Sequence, residues 1–127
     1  MPMPFVLIIE DDPLVAQALE FVVEEFGYQV CCVASEDEAV RHLDGRRPDL
    51  ILTDWRLGEG RTGGQAIDRI RGLFDGDIPA MVLTGESSPA WFRDMQALGL
   101  SVFLKPIDLA RLRVAIEGIC GPPAQLA

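Results

Sequence analysis

Short apolar runs alternate with segments of helical period along the chain, and the alternation repeats five times. "FVLIIE" reads as a buried strand. The following "DDPLVAQALEFVVEEFG" carries Leu14, Val15, Ala18, Leu19, Val22 and Phe26 at the spacing of one helix face. Asp12 is placed to cap that helix, Pro13 suits its first turn and Gly27 ends it. "YQVCCVA" is a second strand, and Ser35 caps a short helix through Leu43 that breaks at "DGRRP". "DLILTD" is a third strand, followed by the polar, glycine-rich loop "WRLGEGRTGG". Gln65 to Phe74 reads as a helix, "IPAMVLTG" as a fourth strand and Ser88 to Leu98 as a helix. "SVFLKP" is a fifth strand and "IDLARLRVAIEGI" the last helix. Trp91, Met95 and Leu98 share a face of the fourth helix and are expected in the core, with Phe92 beside them as a candidate partner contact.

Continuous apolar strands alternating with helices imply an α/β domain whose parallel sheet is covered on both faces. The pattern fits one domain over residues 1–120, with 121–127, "GPPAQLA" from Gly121, as a tail or linker stub. No internal repeat or low-complexity tract interrupts it.

Composition narrows the partners. The chain is 49% hydrophobic, which argues against disorder. A net charge of −9 argues against direct binding of nucleic acid or of an anionic membrane surface, and favours cations and basic protein faces. Cys31, Cys32 and Cys120 form no metal-binding pattern, and the adjacent pair would point to opposite faces of a strand. The plain expectation is reduced thiols in a cytoplasmic protein. "MPMPFVLII" lacks a basic n-region, and its apolar run is too short for a signal peptide or for membrane insertion.

The strand ends carry the chemistry. Glu10 and Asp11 end the first strand, Asp54 the third, Thr84 the fourth and Lys105 the fifth. In an open parallel sheet the carboxyl ends lie along one edge, and ligands bind just outside them. Clustered carboxylates favour a hard divalent cation, and Mg²⁺ takes one or two of them while keeping waters and sharing a phosphate. A lysine and a threonine hydroxyl suit phosphate oxygens, and a carboxylate can itself accept a phosphoryl group. Each residue alone has a plainer reading: Asp11 and Asp12 complement a helix dipole, Thr84–Gly85 forms a turn, and Lys105 is a solvated charge. Their coincidence at one edge outweighs those readings.

In order and spacing, "IIEDDP", "PDLILTDWRL", "VLTG" and "FLKPID" resemble a response-regulator receiver domain of two-component signalling, over nearly the whole chain. The resemblance implies a flavodoxin-like (βα)5 three-layer sandwich with a five-stranded parallel sheet in the order 2-1-3-4-5. It implies that Asp54 is the phosphoryl acceptor and that Thr84 and Lys105 contact the phosphoryl group. It implies Mg²⁺ held by Asp11, Asp54 and the backbone carbonyl of Arg56, with Glu10 acting through water, and a cis Lys105–Pro106 bond. The donor would be a histidine kinase or a histidine phosphotransfer protein, with a dimer or readout face on the fourth helix, fifth strand and fifth helix. Self-phosphorylation and autodephosphorylation would be the only catalysis. Arg56 and Glu86 flank the expected phosphate and are expected to pair and tune its lifetime.

Two departures stand out. The loop after Asp54 is long, glycine-rich and lacks the usual proline, and with "ALGLSVFLKPIDLARLR" it looks most like receivers of hybrid sensor histidine kinases; a free-standing regulator is the alternative. In such a kinase the domain would be the cytoplasmic portion of a membrane-bound sensor. The place where receivers commonly carry a switching aromatic residue holds Val102, with Phe103 one residue later on the opposite face. The expected route of the signal is therefore Thr84, the loop from Gly85 to Ser88 and the fourth helix. His42 stands alone in a helix and is expected at the surface, and Trp55 is expected either to cover the acceptor or to pack. Two other functions remain open: a flavodoxin-like small-molecule binding module, against which the acidic "EDDP" argues, and a Mg²⁺-dependent phosphatase, which would need a further acid/base group and a cap.

Overall fold

Alternation within the first strand decides the architecture. Phe5, Leu7 and Ile9 pack into one hydrophobic core, and Val6 and Ile8 into another. The strand is thus buried on both faces and needs a helical layer over each. In the computed structural model, which describes residues 3–86 and 88–122, β1 (Phe5–Ile9), β2 (Gln29–Val33), β3 (Leu50–Asp54), β4 (Ala80–Thr84) and β5 (Ser101–Leu104) form one parallel sheet in the order β2-β1-β3-β4-β5. Helices α1 (Pro13–Glu25) and α5 (Leu109–Cys120) cover one face with Leu19, Val23, Leu112 and Ile116. Helices α2 (Glu36–Leu43), α3 (Gly63–Phe74) and α4 (Pro89–Ala97) cover the other with Ala39, Leu43, Ala66, Ile67, Ile70 and Met95. The flavodoxin-like three-layer sandwich expected from the sequence is the fold observed. Residues 123–127 of the expected tail, and Ser87 of the expected switch loop, lie outside the described residues.

Local chemistry sets the helix ends. The Asp12 carboxylate accepts from the backbone N–H groups of Leu14 and Val15, and Asp108 does the same for Ala110 and Arg111. Ser35 and Ser88 accept from Glu38 and Trp91. Gly27 follows the end of α1 with φ 102°, a conformation that a side chain would disfavour. Cys31 and Cys32 pack against opposite cores, as adjacent strand residues must.

Three expectations need correction. Helix α3 begins at Gly63 rather than Gln65: Thr62 accepts from Gln65 N–H, and the Gln65 side chain accepts from Thr62 N–H, closing a capping box. Leu14 is not core but 78% exposed, because that edge of the α1 stripe faces a groove towards Ile107 and Leu109 instead of the sheet. Leu98 is 65% exposed: it caps α4 outside helical geometry, so it leaves the stripe, and Leu100 is buried instead.

Two glycines in α3 make opposite predictions. A Cβ on Gly63 would lie 2.5 Å from the carbonyl oxygen of Asp54 and 2.9 Å from Cγ2 of Thr53, where the obstacle includes backbone. Gly63→Ala should destabilise the fold by about 1–3 kcal/mol. Gly72 meets open space, so Gly72→Ala should stabilise by about 0.5–1 kcal/mol. Urea melts of both variants check the pair; equal midpoints would show that α3 shifts to admit the Cβ at Gly63.

Candidate functional site

Parallel pairing carries the strand ends to one edge. Ile9 pairs with Thr53, Asp54 with Leu83 and Thr84 with Leu104, so the residues just beyond them are neighbours. Carboxylate oxygens of Glu10, Asp11 and Asp54 all lie within 4.8 Å of one another. Lys105 reaches the same group, with Nζ 3.2 Å from Oδ1 of Asp54. Its backbone N–H donates to the carbonyl of Thr84 at 2.7 Å, which holds the end of β5 against the end of β4, and the Lys105–Pro106 bond is cis.

Burial differs sharply within the cluster. Glu10 is 2% exposed, whereas Asp11 is exposed and Asp54 half-buried. Oε1 of Glu10 accepts from Asp12 N–H at 3.3 Å, while buried Oε2 has no hydrogen-bond partner. Burial, and after it the charge of Asp54, pushes the Glu10 carboxyl from its ordinary 4.5 up to about 7, with Lys105 and the Asp12 N–H pulling the other way. A buried, unsatisfied oxygen beside two further carboxylates is the donor set of a small hard cation.

Of the other expected residues, Thr84 is tied to this group by the Lys105 backbone bond. Thr84 is buried, and its Oγ1 accepts from Glu86 N–H at 2.9 Å, leaving the hydroxyl proton free to donate. Arg56 is exposed, and its backbone forms an antiparallel bridge with Thr62. The expected Arg56–Glu86 pair is not formed among the described residues; Oε1 of Glu86 accepts instead from Ser88 N–H at 3.1 Å, just before α4. Asp12 caps α1 and stands outside the carboxylate cluster. His42 is exposed on α2. Phe92 is half-buried and stacks edge-on against Trp91.

Two features escaped the sequence. Trp55 and Trp91 meet edge-to-face, with ring centroids 5.3 Å apart, and so join the residue after Asp54 to α4. Neither tryptophan announces the other at a distance of thirty-odd positions. Glu36, in the first turn of α2, is 5% exposed and paired with Arg61 and Arg69. A carboxylate beside an N-cap reads as a solvated dipole partner, and no local signal marks it as buried.

Residues 6–117 match the family model of the response regulator receiver domain. Among curated relatives, the phyllosphere-induced regulator PhyR of Methylorubrum extorquens is 39% identical over 89 residues, which are 64% of this chain and 33% of that protein. Sporulation initiation phosphotransferase F of Bacillus subtilis is 27% identical over 88% of this chain and 90% of its own length. Among solved structures, chemotaxis protein CheY4 of Vibrio cholerae superposes with a TM-score of 0.79, at 24% identity, over 92% of this chain and 98% of that one. That last likeness speaks for the fold. The chain spans only about a third of PhyR. No helix among the described residues is long and apolar enough to cross a membrane.

The Glu10 environment has a measurable consequence. Its carboxyl is raised in the folded protein, so the native state holds that proton more tightly than the unfolded chain does. The resulting stability is full below pH 4.5 and is lost as pH rises through about 7. In EDTA, Glu10→Gln should therefore melt progressively higher than wild type on going from about pH 5 to about pH 8, by a few degrees at the upper end. Parallel melting curves across that range would mean that Glu10 is not held protonated.

Proposed function

The chain belongs to the response regulator receiver domain family, and from that premise we propose that it accepts a phosphoryl group on Asp54 from a phosphohistidine and answers with a change of conformation. The observation that carries this reading is Lys105 Nζ at 3.2 Å from Asp54, in a cluster of carboxylates within 4.8 Å of one another. The donor is a histidine kinase or a histidine phosphotransfer protein. Oδ of Asp54 attacks phosphorus as the P–N bond breaks, and the electron pair returns to the donor imidazole. Lys105 neutralises charge on the phosphoryl oxygens, and the free Thr84 hydroxyl proton donates to one of them. Asp11, Asp54 and the Arg56 carbonyl would hold Mg²⁺, with Glu10 acting through water. Bound there, Mg²⁺ supplies the positive charge that lets phosphate approach three carboxylates.

The acidic turn after β1 supports this reading over a small-molecule phosphate site, because the cluster of Glu10, Asp11 and Asp54 would repel a phosphate without a metal. Intact mass after incubation with acetyl phosphate tests the proposal. One phosphoryl adduct should form, only with Mg²⁺, and Asp54→Asn should abolish it. Asp11→Ala should lose Mg²⁺ binding and labelling together. Stoichiometric labelling of Asp54→Asn would sink the assignment.

The readout face we propose comprises α4, β5 and α5, where Leu98 and Leu104 are 65% and 46% exposed; it serves a partner or a second copy. Val102 packs on the core that also carries Trp55 and Trp91, while Phe103 packs on the opposite one. A valine has little volume to swing, so coupling runs through Thr84 and the loop into α4 rather than through β5. Amide NMR of the apo and beryllofluoride-bound protein checks this. Val102→Ala should retain the shifts in α4; their loss with beryllofluoride still bound would make Val102 a required coupler.

A further inference from the structure

The segment between β3 and α3 is a closed hairpin. Arg56 bridges Thr62, Leu57 N–H donates to the Arg61 carbonyl at 3.0 Å and Arg61 N–H to the Gly58 carbonyl at 3.2 Å. Glu59 and Gly60 turn the tip, both with positive φ, at 61° and 74°. The base of the hairpin is fixed, since Gly63 N–H donates to the Trp55 carbonyl at 2.7 Å and Leu57 is buried. Gly58 lies close to the carboxylate cluster: a Cβ built on it would sit 3.6 Å from Oδ2 of Asp11.

Among the described residues, one charged side chain ties this hairpin to the rest of the domain. Arg61 donates through Nε to Oε1 of Glu36 and also reaches it with Nη2. Glu36 is almost wholly buried and is fixed in turn by the start of α2, where Ser35 is the cap. Its second oxygen has no hydrogen-bond partner and faces Arg69 of α3 at 3.6 Å. A groove of about 620 Å³ separates the hairpin from α2, and Asp11, Leu57, Gly58, Glu36, Arg61 and Arg69 are on its walls.

We infer that Arg61 and Glu36 form a latch that positions the Mg²⁺ site: by pinning the hairpin to α2, they hold the Arg56 carbonyl and Gly58 at the Asp11 side of the cluster. The inference rests on the metal reading proposed above. Arg61 touches neither metal nor phosphoryl group; it acts through the hairpin. A ligand that is a backbone carbonyl in a glycine-rich loop has no side chain of its own to fix it, so its position depends on partners outside the coordination sphere.

The sign of the effect separates a latch from simple electrostatics. Arg61 is a cation on a groove that Asp11 also lines, so deleting its charge should by Coulomb's law strengthen the binding of another cation. A latch predicts the opposite. Mg²⁺ titration of Arg61→Met, followed by tryptophan fluorescence and by calorimetry, should show affinity reduced by roughly tenfold. Arg69→Met removes an equal charge from the same groove but leaves the hairpin tied, and should bind Mg²⁺ at least as well as wild type. Arg61→Lys keeps charge and most of the reach, and should recover most of the affinity. In EDTA, Arg61→Met should keep its fold by circular dichroism while the amides of Leu57 and Arg61 exchange faster than in wild type. Wild type that binds no Mg²⁺ would overturn the metal reading and the latch with it. Wild type that binds, with Arg61→Met binding as tightly and exchanging no faster, would overturn the latch alone.

Discussion

Mutual repulsion among three carboxylates is the constraint around which this domain is built. Glu10, Asp11 and Asp54 are carried together by the strand ends, and Lys105 alone among the described basic side chains forms an ion pair with one of them. Glu10 meets the repulsion from inside the protein, where burial makes its charge still more costly, so its carboxyl rises towards neutrality. Such a cluster persists because the sheet beneath it is rigid. Strands β1, β3 and β4 are buried almost throughout, and their register leaves no freedom for the ends to separate. The stability of the layers holds the carboxylates of the acidic edge together, in a cluster whose repulsion a bound cation would offset.

How much of this was legible in the sequence depended on whether each cause is local. Asp12, Ser35 and Asp108 cap helices with contacts two or three residues away, and those signals were in the chain. The acidic edge was legible because a parallel sheet converts apolar runs into a shared edge, so Glu10, Asp54 and Lys105 needed only correct strands. The start of α3 was missed although "TGGQ" spells a capping box, because two glycines masked the helical period. Leu14 and Leu98 were misplaced for a different reason. Periodicity identifies an apolar stripe but not how far the neighbouring layer extends beneath it, and Leu98 has already left helical geometry. Glu36 and Arg61 are twenty-five residues apart, and only the packed hairpin makes them partners.

The long loop after Asp54 is therefore structured. A glycine-rich segment of this composition would ordinarily be mobile. Here a bridge, two backbone hydrogen bonds and a buried leucine fold it back on itself. Such a hairpin is only as well placed as its anchors, and at its far side the anchor is a carboxylate buried on another helix. That anchor is the pairing of Arg61 with Glu36.

The helices differ in how firmly they are held, and the difference bears on the switch. Helix α3 buries Gly63, Ala66, Ile67 and Ile70, whereas α4 buries only Met95. What else binds α4 is half-buried: Trp91 against Trp55, and the Ser88 cap with Glu86 bonded to its backbone. An element with few buried contacts opens at low free energy, so among these helices α4 is the one that a modest bias can displace. Its two attachments nearest the acidic edge begin at Trp55, next to Asp54, and at Glu86, whose N–H is bonded to the Thr84 hydroxyl. Redirecting that hydroxyl loosens one attachment, and moving the Asp54 backbone disturbs the other. With Val102 too small to swing, both attachments lead from the acidic edge to the least anchored helix, so a phosphoryl group on Asp54, as proposed above, would need only a small differential contact to bias α4.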